Sequence, residues 1–330
     1  MSEPAPTRQL GTTGQSISPL TLGGGPLGSM PENFGYEVAE SQAVELVRSV
    51  LESDIRSIDT ANGYSAGRSE ERIGRGIAEH GGLPDEYLVM TKVDARDGDY
   101  SGARVRESLA ESNARLGIGS PLPVVFLHDP EFFAFEEMTT PGGAVDALVQ
   151  ARADGIVSHI GLAGGNVHEM ERYLDLGVFE VLLVHNRWTL VDRSAGRIID
   201  LAVQRGIGVV NAAVLGGGIL ADTTGRSTSY GYRPASAATL GSIAAMRQVC
   251  EHWETDLGTA AVRFSTRDAR IASTIVGVSK PQRLDGTIAA SSLDRPQEFW
   301  DELEALLPSP ENWLDPASES TTTNHAKKED

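Results

Sequence analysis

A single cysteine, Cys250, in a chain of 330 residues excludes an intramolecular disulfide and any metal site built from several thiolates, and fits a reducing compartment. Basic residues are also scarce. Against 46 Asp and Glu stand only 28 Lys and Arg, a formal net charge of -18, so the surface as a whole repels nucleic acid and anionic lipid headgroups. No long apolar run is present. The longest, such as 178–184, fall far short of the roughly 20 residues that span a bilayer. The opening Met1-Ser2-Glu3-Pro4-Ala5-Pro6 carries neither the basic nor the apolar part of a secretion signal. A cytoplasmic protein is therefore expected. Aromatic residues are only 6% of the chain, whereas glycine is frequent at 36 residues, an excess that calls for turns or for backbone packed close to a ligand.

What remains is ample apolar material, 40% of the residues, enough for one large domain or two ordinary ones. Residues 7–18 place two short runs around Gly11-Thr12-Thr13-Gly14, which reads as a small hairpin ahead of the main fold. Beyond it, short β-type runs alternate with longer helical patterns. Eight such runs occur, at 20–23, 55–59, 87–93, 124–127, 159–163, 178–184, 208–214 and 273–277. Helical patterns follow them at about 41–53, 69–79, 102–116, 143–153, 167–176, 195–205, 237–253 and 281–291. In the first helix Val44, Val47 and Leu51 form an apolar stripe, and Ser41 is the expected N-cap.

Strict alternation demands a parallel sheet with helices outside it, and eight units predict a closed (β/α)8 barrel rather than an open doubly wound sheet. The open sheet would carry Gly-x-Gly-x-x-Gly opening a helix after its first strand. Here Gly23-Gly24-Gly25-Pro26-Leu27-Gly28 runs into a Pro, Asn and Gly loop instead. The expected organisation is an N-terminal arm and hairpin (1–18), a barrel (19–315) and a disordered Ser/Thr-rich and charged tail (316–330).

In a barrel, chemistry sits at the C-terminal strand ends. Strand two ends in Asp59-Thr60-Ala61-Asn62-Gly63-Tyr64, strand three in Thr91-Lys92-Val93, and strand four in Leu127-His128-Asp129-Pro130. Singly, each polar residue has an ordinary reading as turn former, lid, solvated cation or backbone-bonded imidazole. Together they supply what carbonyl reduction requires. A phenol with pKa near 10 is a poor acid or base until a neighbouring cation shifts it, which assigns Tyr64 as acid/base and Lys92 as the cation. Asp59 would hold Lys92 charged, and His128 would hydrogen-bond the substrate oxygen.

Asp59-Thr60-Ala61, Gly63-Tyr64, Ser69-Glu70-Glu71, Thr91-Lys92 and Leu127-His128-Asp129 resemble, in order and spacing, the signature of the aldo-keto reductase superfamily. The resemblance implies a (β/α)8 oxidoreductase using NADP or NAD, with NADP favoured. Gly24-Gly25-Pro26-Leu27-Gly28, Leu127-His128-Asp129-Pro130-Glu131, 187–192 and Tyr230-Gly231-Tyr232 are similar to the bacterial D-threo-aldose and L-fucose 1-dehydrogenases, which implies oxidation of a pyranose at C1.

The resemblance also implies a cofactor path through Gly24, Gly25 and Asp59. Asn166 would take the nicotinamide amide, and His185 stands where the family has Gln. Ala212 stands where the family stacks a Tyr on the ring, and Trp188 is the candidate replacement. Leu215, Gly216 and Gly218 match the loop over the pyrophosphate. Ser279, Lys280 and Arg283 open a helix with two cations, which suits a 2'-phosphate or the pyrophosphate, and Thr287 takes the place of an adenine-binding Asn. Tyr230, Tyr232, Trp188, Phe132, Phe133 and Phe135 are candidate substrate walls.

Two other readings share these residues: a Schiff-base lyase with Lys92 as nucleophile, and a non-catalytic barrel that binds nucleotide and regulates a partner. No metal site is expected, because His128-Asp129 lacks further ligands at helical or strand spacing and the seven histidines are scattered.

Overall fold

The computed structural model describes residues 7–31 and 35–316. The expected arm at residues 1–6 and the tail beyond Pro316 lie outside them. Eight parallel strands close into a barrel: β3 (Leu20–Gly23), β4 (Ser57–Asp59), β5 (Leu88–Val93), β6 (Leu122–His128), β7 (Val157–Gly164), β8 (Val181–His185), β9 (Gly208–Ala212) and β12 (Ser273–Gly277). Each neighbours the next in chain order, and β12 returns to pair with both β9 and β3. These are the eight runs expected, trimmed or extended by a few residues.

Both faces of the strands are covered, which is why they read as near-continuous apolar runs rather than alternating ones. Inward residues form a packed core of Leu88, Met90, Val124, Phe126, Ala163, Val181, Leu183 and Val210. Outward residues pack beneath the surrounding helices. The hairpin β1 (Arg8–Gln9) and β2 (Ser16–Ile17) plugs the bottom of the barrel, with Leu10 and Ile17 fully buried in the inner core. The other end is thereby left for chemistry.

Helices Glu40–Leu51, Arg68–His80, Gly102–Leu116, Ala144–Ala153, Val167–Leu174, Gly196–Gln204, Ala237–His252 and Leu284–Ser291 match the periodic segments. One boundary differs. The first helix starts at Glu40 after Ala39, with no side-chain cap, so Ser41 lies inside its first turn instead of capping it. Three further described helices were not expected, the five-residue Phe135–Thr139 and the longer Leu257–Thr266 and Gln297–Glu304. The two longer ones follow Ala237–His252 in the chain. Both pack with Ala237–His252 into a satellite core around Ile243, Met246, Phe299, Trp300 and Leu303. A two-stranded ribbon, β10 (Ser229–Tyr230) and β11 (Arg233–Pro234), stands between β9 and Ala237–His252. No described helix is long and apolar enough to cross a membrane.

Candidate active site

A cavity of about 500 Å³ opens at the C-terminal strand ends. Asp59, Tyr64, Lys92 and His128 all line it, although 69 residues separate the first from the last. Lys92 is 1% exposed and Asp59 3%, and a buried ammonium is tolerable only when its protons are taken. They are taken here. The Lys92 ammonium donates to Asp59 Oδ2 at 2.7 Å, to the Thr60 carbonyl at 2.6 Å and to the Tyr64 hydroxyl at 3.3 Å. Burial alone would lower the Lys92 pKa, but the Asp59 carboxylate and the Tyr64 oxygen reverse this and raise it.

The loop after β4 is seated by the rest of the signature. Thr60 and Ser69 share a hydroxyl bond at 2.8 Å, and Ser69 donates to the Gly24 carbonyl at 2.7 Å. Fully buried Glu70 accepts from Thr91 at 2.7 Å and pairs with Arg115 at 3.1 Å. These residues therefore hold the strand ends together and do not line the cavity.

Burial also acts on Tyr64. It pushes the phenol well above its ordinary pKa of 10, more strongly than Lys92 pulls it down. The sequence reading has Lys92 making Tyr64 a ready base. The structure differs, because desolvation of the phenolate outweighs one ammonium, and Tyr64 rests as an acid. His128 meets the Tyr64 ring edge-on, centroids 5.8 Å apart. Its Nδ1 lies 2.6 Å from Asp94 Oδ1 and its Nε2 lies 3.8 Å from Asp129 Oδ2. Burial works against its charge, yet Asp129 and Asp94 raise its pKa. In turn His128 and His185 hold the Asp129 carboxyl well below the usual range, against the burial that would raise it.

Of the expected cofactor residues, Asp59, Gly25, His185 and Ala212 line the cavity. Gly24 does not. Its N–H donates to the Asp59 carbonyl at 2.6 Å, and a Cβ there would stand 2.7 Å from that oxygen, so the glycine lets β3 approach β4. Asn166 is turned away: its side-chain oxygen caps helix Val167–Leu174, accepting from the N–H groups of His168 and Glu169. Trp188 is packed on Phe264 between Arg193 and Arg270, with its indole N–H on Asp268 at 3.0 Å. It does not line the cavity, and so does not replace a ring-stacking Tyr.

Leu215, Gly216 and Gly218 lie in the loop after β9, whose strand pairs with β12, and do not line the cavity. Gly217 and Gly218, at φ 75° and 100°, have open space next to their backbone. In the β12 loop, Ser279 accepts from the Gln42 amide through its carbonyl. Thr287 turns its hydroxyl back to the Arg283 carbonyl at 2.9 Å. Lys280 and Arg283 are exposed, and neither belongs to any ion pair among the described residues.

Of the aromatic residues expected as substrate walls, Phe132 and Tyr232 line the cavity, 78% and 60% exposed. Phe133 packs on Tyr100 and Phe135 on Tyr173. Tyr230 is buried, its hydroxyl bonded to Thr189 and the Asn186 carbonyl. The sequence reading assigned no site role to the lining residues Glu131 and Arg187, nor to Asp94, which contacts His128 without lining the cavity. Glu131 accepts the N–H groups of Gly165 and Asn166 at 2.6 and 3.1 Å and keeps Oε2 buried without a partner among the described residues. With Asp129 and His185 it forms a grouping whose polar atoms lie within 4.8 Å of one another, which separation in the sequence hides. Glu131 was in view as part of the strand-four motif, and Asp94 stands two residues after Lys92, just past the end of β5.

Residues 19–308 match the aldo/keto reductase family, and the chain belongs to it. It is an NAD(P)-dependent oxidoreductase. Among its relatives is the L-galactose dehydrogenase of Arabidopsis thaliana, 28% identical over 91% of this chain and 93% of that protein. A D-threo-aldose 1-dehydrogenase from a Pseudomonas species is 26% identical over 90% and 97%. The fold is shared with an aldo-keto reductase of Bacillus halodurans in its holo form, with a TM-score of 0.72, 19% identity, and coverage of 91% of this chain and 96% of that one.

Proposed function

We propose that this enzyme interconverts a small aldose or related aldehyde with its oxidised or reduced partner, oxidising C1 of the sugar to the lactone, with Tyr64 as the acid/base. The observation that carries the reading is the contact of the Lys92 ammonium with both Asp59 and the Tyr64 hydroxyl at the wall of the cavity. A nicotinamide dinucleotide, when bound, supplies or accepts the hydride. In reduction Tyr64 gives its proton to the substrate oxygen, Lys92 stabilises the phenolate left behind, Asp59 keeps Lys92 charged, and His128 donates from Nε2 to the same oxygen. In oxidation the proton moves from the C1 hydroxyl to a Tyr64 phenolate.

The mouth suits a polyol. Asp129, Glu131, His185 and Arg187 supply acceptors and donors for hydroxyl groups, and Phe132 and Tyr232 supply apolar faces for C–H surfaces. The relatives named as acting on L-galactose and D-threo-aldoses support the same class. A screen of aldoses and simple aldehydes in both directions tests it. Turnover of simple aldehydes with no aldose oxidised would contradict it.

The residues present fit a dinucleotide. In a chain of net charge -18, two cations without a carboxylate partner among the described residues follow β12, and the strand it pairs with, β9, leads into a glycine loop whose backbone at Gly217 and Gly218 is open to an approaching anion. Gly216 and Gly218 would face the pyrophosphate, and Ser279, Lys280 and Arg283 would hold the 2'-phosphate of NADP. Replacing both Lys280 and Arg283 by Ala is expected to raise the NADPH Kd at least tenfold, since hydrogen bonds to charged groups contribute about 1.5–3 kcal/mol each. The NADH Kd is expected to stay within about twofold. Fluorescence titration checks this, and an unchanged NADPH Kd would contradict it.

Because burial raises the Tyr64 pKa, the phenolate is the scarce form at neutral pH. Aldose oxidation is therefore expected to accelerate as pH rises, by about tenfold per unit while the base remains mostly protonated. A pH-rate profile of the oxidation that is flat from neutral to alkaline pH would contradict a phenolate base. The Schiff-base reading meets an obstacle in the same contacts. An ammonium with three acceptors and a raised pKa has no free pair to attack a carbonyl.

A further inference from the structure

Strand β5 lies between β4 and β6 in the barrel and ends in Lys92-Val93, with Asp94 the first residue after it. Asp94 stands two residues past Lys92, and side chains two apart share a face of extended chain; Lys92 lines the cavity, and Asp94 lies behind it against His128. Lys92 serves Tyr64, on the loop after β4. Asp94 reaches both neighbours at once. Its Oδ1 lies 2.6 Å from His128 Nδ1, at the end of β6, and its Oδ2 accepts the Gly63 N–H at 2.6 Å, one residue ahead of Tyr64. The approach depends on Gly63 having no side chain, since a Cβ there would stand 2.9 Å from the Asp94 carboxyl carbon. Gly63 itself has an ordinary helical conformation, φ -78° and ψ -18°, so closeness and not backbone freedom accounts for the glycine.

We propose that Asp94 is a positioning residue that ties the loop bearing Tyr64 to the strand end bearing His128 and, by accepting the Nδ1–H and together with Asp129 favouring the imidazolium, leaves the Nε2–H of the charged ring for the substrate oxygen. An ionised carboxylate accepts only, so Nδ1 must be the protonated nitrogen and Nε2 the face left for chemistry. This inference rests on the proposed roles of Tyr64 and His128. The other titratable groups around the imidazole are Tyr64 at its ring edge, Lys92 behind Tyr64, Asp129 at 3.8 Å with His185 beyond it at 3.6 Å, and the Tyr100 hydroxyl on the His128 backbone. Two carboxylates thus face one imidazole. Together they favour the imidazolium, which hydrogen-bonds a developing alkoxide more strongly than a neutral ring.

The test is D94N, read by NMR titration of the imidazole nitrogens and by the pH dependence of carbonyl reduction. The His128 midpoint is expected to fall by about one pH unit or more. The limb on which reduction declines with rising pH should move by the same amount. The turnover number is expected to drop about tenfold to a hundredfold, as when second-layer partners of an oriented His are lost. Cofactor Kd should stay within about twofold. A merely structural Asp94 would change turnover or melting temperature without moving the midpoint. G63A, which displaces the carboxylate while leaving it in the chain, should move midpoint and limb in the same direction by less. A folded D94N with an unmoved midpoint and limb would overturn the proposal, and should D94N fail to fold, an unmoved G63A would do so. The underlying reading fails separately, if Y64F keeps turnover. The NMR midpoint tests Asp94's hold on His128 whatever the reaction is.

Discussion

Replacing Tyr64 by Phe is expected to lower turnover in both directions by about a thousandfold, within the range contributed by a positioned general acid or base, while cofactor affinity stays within about twofold. The ring is kept and with it the edge contact to His128. Only the hydroxyl bonded to Lys92 goes. Loss of that acceptor removes one of three partners from the buried ammonium, but the Asp59 carboxylate and the Thr60 carbonyl remain, so the fold should lose little stability. Steady-state kinetics and a dinucleotide titration on one preparation separate chemistry from binding. Retained turnover would show that the substrate oxygen exchanges its proton with another group.

The second large effect concerns the pair beneath Tyr64. Asp59 and Lys92 are both almost fully buried and 2.7 Å apart. Removing one charge of such a pair costs about 3–5 kcal/mol, because the other is left uncompensated. D59N is therefore expected to destabilise the protein by about 3 kcal/mol and to cut turnover by at least a hundredfold. The sign of the pH effect follows from Lys92. In the native protein its pKa is raised above the ordinary 10.5, so its stabilisation is complete below that value and is lost as pH rises through the folded pKa. In D59N burial dominates and the Lys92 pKa falls, so stability should instead increase as pH climbs toward 10.5. Adding K92M to D59N removes the stranded charge, and should recover most of the stability but none of the activity. Denaturant melts at several pH values check each step. A D59N protein as stable as the native one would show the pair to be energetically idle.

Strands buried on both faces make short apolar runs, and helices lying on them make 3.6-residue stripes, so the barrel could be read from the sequence. The hairpin was legible from its Gly-Thr-Thr-Gly turn. Leu257–Thr266 was not, because it follows Ala237–His252 after a few residues with no strand between them to mark a separate helix. The cluster around Tyr64 was legible because every member lies at or just after a strand end, and strand order gives neighbourhood in a barrel. What a side chain does beyond its strand end was harder to see. Asn166 and Gly24 were expected at a ligand, yet one caps a helix and the other admits a neighbouring strand. Tyr230 and Trp188 were expected as walls, and their polar tips found buried partners. Asp94 carried its signal two residues from Lys92, but a single carboxylate after a strand reads as a turn until His128 is seen against it.

The most direct measurement of the central claim follows a deuterium label from C1 of an aldose during turnover with NADP or NAD. If the protein oxidises C1 by hydride transfer with Tyr64 as the base, the label appears at C4 of the reduced nicotinamide, one equivalent per lactone formed, and Y64F forms neither at a comparable rate. Lactone formed with the label lost to solvent, or label transfer undiminished in Y64F, would contradict it.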